Sequence, residues 1–190
     1  RTQTRRAETT GRAPWSTHHK REVTATAEGL QYLTFILAGE SYGIDILKVQ
    51  EIRGWVPVTK VPNAPSFVRG VMNLRGAIVP VIDLRLRFGL ESVEYTKTTV
   101  VIVVTVRSEH GDRIIGMVVD GVSDVLNINN PSEIKDPPDF GTAVNTEFIS
   151  GLVTIEAGMV MLLDVDRLLS VDEMFAMEAV RPAEAAHATA

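Results

Sequence analysis

The sequence predicts a mainly β fold: two five-stranded β-barrels side by side, related by an internal repeat, with short helices and a C-terminal helix. The repeat is the first observation behind it. GVMNLRGAIVPVIDLRLRF from Gly70 falls without a gap on GLVTIEAGMVMLLDVDRLL from Gly151, an offset of 81 that pairs Asp83 with Asp164. GIDILKVQEI from Gly43 falls on GMVVDGVSDV from Gly116 at an offset of 73, pairing Val49 with Val122, Glu51 with Asp124 and Ile52 with Val125. Solenoid units run about 20–50 residues, so a spacing this long fits two tandem globular units better. The second observation is a succession of short β-patterned runs separated by turn residues. The third is size: a sheet this small stays soluble most simply by closing on itself and removing its edges.

The elements follow in order. Leu33, Phe35 and Leu37 alternate with Tyr32, Thr34 and Ile36, and Gly39-Glu40-Ser41 turns the chain into Tyr42–Ile46, a hairpin. Trp55–Pro62 is extended, but Pro57 and Pro62 cannot donate to a ladder and place it at a rim. Phe67–Asn73 and Ile78–Ile82 are strands joined at Leu74-Arg75-Gly76, where the glycine takes the positive φ of a tight turn. Thr98–Val106 is β-branched and apolar on both faces, as in a strand buried on both sides. Ser108–Asp112 turns it back into Arg113–Val119. Asp120–Asp124 reads as a turn, either a local kink or a docking edge. Asn127–Thr146, with Pro131, Pro137 and Pro138, is a long irregular loop. Short helical turns follow Asp83 and Asp164, each aspartate an N-cap, with Gly89 ending the first. Ser170-Val171-Asp172-Glu173 matches a capping box for a helix ending near Val180, before Pro182. The expected division is a disordered extension over 1–29, barrels over 30–95 and 96–170, a helix over 171–180 and a flexible tail over 181–190.

Composition narrows the function. The 190 residues are 45 % hydrophobic and include no cysteine, which excludes disulfides, thiol catalysis and Cys-based zinc sites. No apolar run approaches the length of a membrane span, and residues 1–29 lack the apolar core of a signal peptide, so a cytoplasmic address is expected. Residues 1–29 carry six basic side chains against three acidic ones, leaving the remainder at a net −8. An acidic body repels phosphate backbones, so nucleic acid is not an expected ligand. The histidines, at 18, 19, 110 and 187, assemble no metal site, and nucleotide-loop and hydrolase motifs are absent.

A few polar positions remain. Asp83 and Asp164 could form a carboxylate pair for acid–base work, but capping alone accounts for both. Glu51 shares a strand face with Val49 and Arg53, as an exposed Glu–Arg pair or a partner contact. Arg75 sits in a turn whose repeat mate is Glu156, so the turn itself does not require arginine. A guanidinium there suits recognition better than folding.

At YGIDILKVQEIRG (Tyr42–Gly54), FVRGVMNLRGAIVPVIDLR (Phe67–Arg85), TVVIVV (Thr99–Val104), IGMVVDGVSDVL (Ile115–Leu126) and DVDRLLS (Asp164–Ser170) the chain resembles the CheW-like domain family of bacterial chemotaxis. The likeness spans roughly Leu30 to Ser170. One motif alone would equally suit the regulatory domain of the kinase CheA or the hybrid protein CheV; no kinase or receiver region fits in this length, which favours a stand-alone coupling domain. The resemblance implies two SH3-like barrels, no catalytic activity, no cofactor and no membrane insertion. It implies an adaptor that bridges the cytoplasmic tip of a methyl-accepting chemoreceptor to the CheA regulatory domain in membrane-associated arrays, through Val49, Glu51, Gly70, Arg75, Val100, Gly116 and Val122. Gly70 and Gly116 are also expected as backbone requirements. The rival reading is an enzyme or small-molecule binder using the groove between the barrels, with Asp83 and Asp164, or Glu51 and Arg75, as its polar centre.

Overall fold

The computed structural model describes residues 29–108, 111–138 and 146–169. Residues 1–28 of the extension expected over 1–29, the helix expected over 171–180 and the tail over 181–190 lie outside the described residues. In chain order the elements are β1 (Leu30–Leu37), β2 (Glu40–Asp45), a 3-10 turn (Ile46–Lys48), β3 (Val49–Gly54), β4 (Val68–Leu74), β5 (Ala77–Asp83), α1 (Leu84–Arg87), β6 (Val100–Ser108), β7 (Gly111–Val119), β8 (Gly121–Ile128), a 3-10 turn (Pro131–Glu133), β9 (Ile149–Ile155), β10 (Gly158–Leu163) and α2 (Val165–Leu168). The strands form two five-stranded sheets, ordered β8-β1-β2-β10-β9 and β3-β6-β7-β5-β4.

The fold is mainly β with two SH3-like units, but the units do not follow the expected division at 95/96. The repeat equates β1–β5 with β6–β10, and each sheet takes the first hairpin of one copy with the last three strands of the other. The chain crosses between sheets directly after β2, through Ile46–Lys48, and directly after β7, at Asp120. Matching parallel pairings join the exchanged pieces: Leu162 faces Gly43 in one sheet, and Val81 faces Gly116 in the other. An alignment of repeats reveals which strands are equivalent, not which strands pair, and the exchange is invisible to it. Asp120–Asp124 differs as well: Asp120 alone bends, and β8 begins at Gly121.

Crossing puts the apolar faces of both sheets against each other. One core cluster joins Leu33, Phe35, Leu37 and Ile44 of the first sheet to Ile102, Val104, Ile115 and Met117 of the second, with Leu84, Leu168 and Leu169 from the helical turns. This core lies between the two sheets, where the rival reading set its groove. Smaller clusters, Met72 with Val79, Val101 and Val118, and Ile128 with Val153, Val160 and Leu162, fill each barrel.

Two charged clamps secure the crossings. Arg85 donates Nε and Nη2 to the two Asp120 oxygens at 2.7 and 2.6 Å, and the Ala38 N–H donates to Asp120 Oδ2 at 2.8 Å. At the other crossing Lys48 Nζ lies 2.6 Å from Asp166 Oδ2, while Asp166 Oδ1 accepts the Arg107 N–H at 2.7 Å. Arg85 and Asp166 are repeat mates, so the same clamp is built twice with its charges reversed. Burial alone would raise the Asp120 carboxyl; the hydrogen bonds from Arg85 and Ala38 and the attraction of the guanidinium outweigh it and hold the group below the usual carboxylate range.

The chain beyond each edge strand closes its barrel. Past β3, Thr59 exchanges two backbone hydrogen bonds with Val71 of β4, at 2.9 and 2.8 Å; past β8, Lys135 does the same with Leu152 of β9, at 2.8 Å both ways. Of the proline-interrupted Trp55–Pro62 stretch, Thr59 makes the strand-like pairing. Beside each closure stands a repeat glycine. A Cβ on Gly70, whose φ is +146°, would run into the Thr59 carbonyl, and one on Gly151 would strike the Ile134 side chain.

Gly70→Ala is therefore expected to destabilise the fold by about 2–4 kcal/mol in denaturant unfolding, through clash and strained φ together. Gly54→Ala, where an added Cβ meets nothing within 4 Å, serves as the mild control. Because the folded Asp120 carboxyl is more acidic than its unfolded form, its stabilisation is complete above the unfolded value near 3.9 and fades as pH falls through the folded one. Asp120→Asn should lower stability at neutral pH and flatten that part of the acid-side decline, read from unfolding free energies between pH 2 and 7.

Candidate functional site

Arg75 and Glu51 come together, 24 residues apart in sequence. β4 and β5 are joined by a two-residue turn in which Arg75 has φ +50° and Gly76 +89°, the two positive values of a type I′ hairpin. Asn73 Oδ1 accepts the Gly76 N–H at 2.8 Å and braces the turn. From this tip the Arg75 side chain, 82 % exposed, reaches back to β3, and Nη2 lies 2.7 Å from Glu51 Oε2. Glu51 is 22 % exposed and has a second, weaker neighbour in Arg53 Nη1 at 3.8 Å. The sequence reading paired Glu51 with Arg53 on its own strand face; the principal partner is Arg75, brought near by barrel closure. The result is a cation presented on a rigid hairpin tip and oriented by an acid on the neighbouring edge.

The other sequence-derived positions sit deeper. Val49, Val100 and Val122 are half-buried and pack on the central core. Val49 and Val100 lie on paired strands of one sheet, whereas Val122 faces Phe35 in the other. Gly116 is buried, and a Cβ there would come 2.8 Å from Val101 Cγ1, so it serves close packing of β6 on β7. Gly70 belongs to barrel closure. On the same stretch of chain Leu47 is 86 % exposed, and Ile52, on the strand face opposite Glu51, is 44 % exposed. Periodicity gave no signal for Leu47, which stands in the short turn between sheets.

The carboxylate pair resolves into two caps. Asp83 Oδ1 accepts the Arg85 and Leu86 N–H groups at 2.9 and 3.3 Å, and its Oδ2 accepts the Tyr95 hydroxyl at 2.5 Å. Burial, followed by that hydrogen bond, pushes the Tyr95 phenol well above its usual range. Asp164 Oδ1 accepts the Asp166 and Arg167 N–H groups at 2.9 and 3.3 Å. These bonds account for both aspartates as helix-turn caps. An apolar groove of about 660 Å³ does exist, but along β4, β5 and β7 of one sheet, lined by Val71, Ile78, Pro80 and Arg113 among others. Asp83, Asp164, Glu51 and Arg75 do not line this groove. Among the described residues no group of His, Asp and Glu is placed to hold a metal ion.

Comparison with known proteins gives concordant findings. Residues 31–173 match the model of the CheW-like domain. The chain is 49 % identical over 146 residues to the chemotaxis protein CheW of Klebsiella aerogenes, covering 77 % of this chain and 85 % of that one. It is 36 % identical over 148 residues to the CheW of Rhizobium meliloti, covering 78 % and 92 %. Its fold is similar to the crystal structure of the scaffolding protein TtCheW from Thermoanaerobacter tengcongensis, with a TM-score of 0.66 at 34 % identity over 76 % of this chain and 94 % of that one.

The Arg75–Glu51 pair is too exposed to matter much for folding, and Arg75→Ala should change the unfolding free energy by less than about 1 kcal/mol. Circular dichroism and thermal melts of that variant close to those of the parent protein would clear the way for attributing any lost binding to the interface itself.

Proposed function

This chain belongs to the CheW-like domain family, and from that premise we propose that it is a chemotaxis adaptor coupling methyl-accepting chemoreceptors to the histidine kinase CheA. It carries out no chemistry of its own; it holds two partners at once and passes a difference in receptor state to the kinase as a difference in activity. The observation that carries this reading is the Arg75 guanidinium, displayed on a hairpin tip and aligned by Glu51. A cation so placed loses little side-chain freedom on binding, and its planar fork suits a carboxylate or backbone carbonyl of a partner. Leu47 and Ile52 add exposed apolar area on the Ile46–Gly54 stretch that also carries Glu51, which suits a chain that docks on partners.

In this reading the receptor's cytoplasmic tip and the regulatory domain of CheA share the seven positions Val49, Glu51, Gly70, Arg75, Val100, Gly116 and Val122, with Glu51 and Arg75 making direct contact. Val49, Val100, Val122 and the two glycines act by shaping the surface from beneath. The protein works at the membrane-associated array through its partners; no helix among the described residues is long and apolar enough to cross a membrane. Individual contacts need only moderate affinity, because many act together in an array.

The decisive experiment reconstitutes receptor and CheA and follows phosphotransfer with the protein, with Arg75→Ala, and without either. Receptor-dependent kinase activity should require the intact protein and fall sharply with the folded Arg75→Ala variant. The exchanged pair Glu51→Arg with Arg75→Glu separates two roles for the ion pair. Recovery of activity would mean that the bridge itself positions the hairpin, and continued loss would mean that a partner reads the guanidinium. Unchanged phosphotransfer with no binding to either partner would overturn the adaptor reading.

A further inference from the structure

Apart from each other, β1 and β2 take their strand partners from the second copy of the repeat. They fill the middle of the first sheet, where β1 pairs with β8 and β2 with β10. Leu33, Phe35, Leu37 and Ile44 carry the hairpin into the shared core. Nothing in these contacts requires that β8 and β10 belong to the same chain.

Among the described residues a single connection joins this hairpin to the body, the three-residue turn Ile46–Lys48. The equivalent hairpin β6–β7 is held at both ends, by the segment leading from α1 into β6 and by the bend at Asp120. The turn at Ile46–Lys48 is closed by a few local contacts. Asp45 accepts the Leu47 N–H at 2.9 Å, Ile46 packs on the core, and Lys48 Nζ lies 2.6 Å from Asp166 Oδ2. Leu47 at its crest is 86 % exposed, and neither glycine nor proline marks the turn. Asp45 and Val49 on its two sides already have extended ψ values of 123° and 124°. Straightened, Glu40–Gly54 is one strand about 50 Å long, which carries the hairpin clear of its own β8 and β10.

We infer that two copies of this chain exchange their β1–β2 hairpins, each completing the first sheet of the other, with Ile46–Lys48 as the segment that straightens and the Lys48–Asp166 ion pair as the latch against it. The hairpin makes the same pairings and core contacts in both forms, so the balance is set by the turn, the latch and the chain concentration. The exchange is made during folding, because a finished monomer would first have to strip β1 from β8 and β2 from β10. The swapped dimer holds two Glu51–Arg75 edges in one unit. The inference does not depend on the adaptor reading, and its test uses neither kinase nor receptor.

The full chain is refolded over a range of concentrations, and its mass is measured by light scattering on a sizing column. Deleting Leu47 leaves the crossing too short for its turn and should convert monomer to dimer. Lys48→Ala should raise the dimer association constant about tenfold, since two latches are released per dimer; it carries the test alone should the deletion fail to fold. The absence of cysteine lets the exchange itself be read. Gln31 and Asn127 face each other across β1 and β8, with Gln31 Nε2 2.7 Å from Asn127 Oδ1. With Gln31→Cys and Asn127→Cys added, a short bismaleimide should link positions within one chain in the monomer peak and between two chains in the dimer peak, which denaturing electrophoresis separates. A dimer whose links stay within each chain is a side-by-side dimer and would overturn the inference. So would a folded deletion variant that remains monomeric, or a Lys48→Ala chain that dimerises no more than the parent at any concentration.

Discussion

The close approach of backbone to backbone at Gly70 is the constraint on which the rest of the molecule turns. A five-stranded sheet with two open edges exposes unpaired N–H and C=O groups to any passing strand. Here the chain past β3 swings round so that Thr59 bonds Val71 on the far edge, and a side chain at Gly70 would occupy the path of that carbonyl. The Arg75–Glu51 pair is a consequence of the same closure. Closing the barrel carries the neighbourhood of β3 toward β4, which is why Glu51 reaches an arginine 24 residues away. Gly70 therefore helps to build the edge on which Arg75 and Glu51 meet.

The second constraint is the exchange of hairpins. Each crossing is short, so the two sheets cannot part far, and their facing apolar surfaces have no alternative to one shared core. A buried centre made from Phe35 and Ile44 on one side and Ile102 and Met117 on the other belongs to neither sheet alone. The clamps at Asp120 and Lys48 fit this arrangement. Each ties a helical turn from the end of one sheet to the point where the chain leaves for the other, and each carboxylate also accepts a backbone N–H from the end of a central strand. The charges are reversed between the two copies, so either polarity ties the crossing.

Much of this was legible in the sequence, for identifiable reasons. Period-two alternation located β1, and a β-branched run apolar on both faces located β6, because strand burial imposes those patterns directly. Asp83 and Asp164 announced themselves as caps since a side-chain oxygen before a helical turn has few other uses. The hairpin exchange was not legible: repeat alignment is blind to pairing, and the same strand equivalences hold for tandem and for exchanged barrels. Nor was the partner of Glu51, because period two relates it to Arg53 on its own strand, whereas Arg75 arrives through closure. The groove escaped for a similar reason. The sequence shows Ile78 only as part of the strand Ile78–Ile82, and its 66 % exposure is decided by tertiary packing.

An adaptor that transmits a state must resist deforming, since any compliance between its two contact surfaces absorbs part of the difference it should pass on. Two tandem barrels joined by a linker would hinge, and the default expectation for such a pair is relative motion. Exchanging the hairpins removes the hinge: moving one sheet against the other would require breaking the core that Leu33 and Val104 share, or stripping Asp120 from Arg85. The hairpin tip that carries Arg75 is tied into this body from both sides, through β5 to β7 and through Val71 to Thr59. A displacement imposed at that tip would thus be delivered to the whole body instead of being lost in a loop, and the interleaved fold is well suited to passing it on.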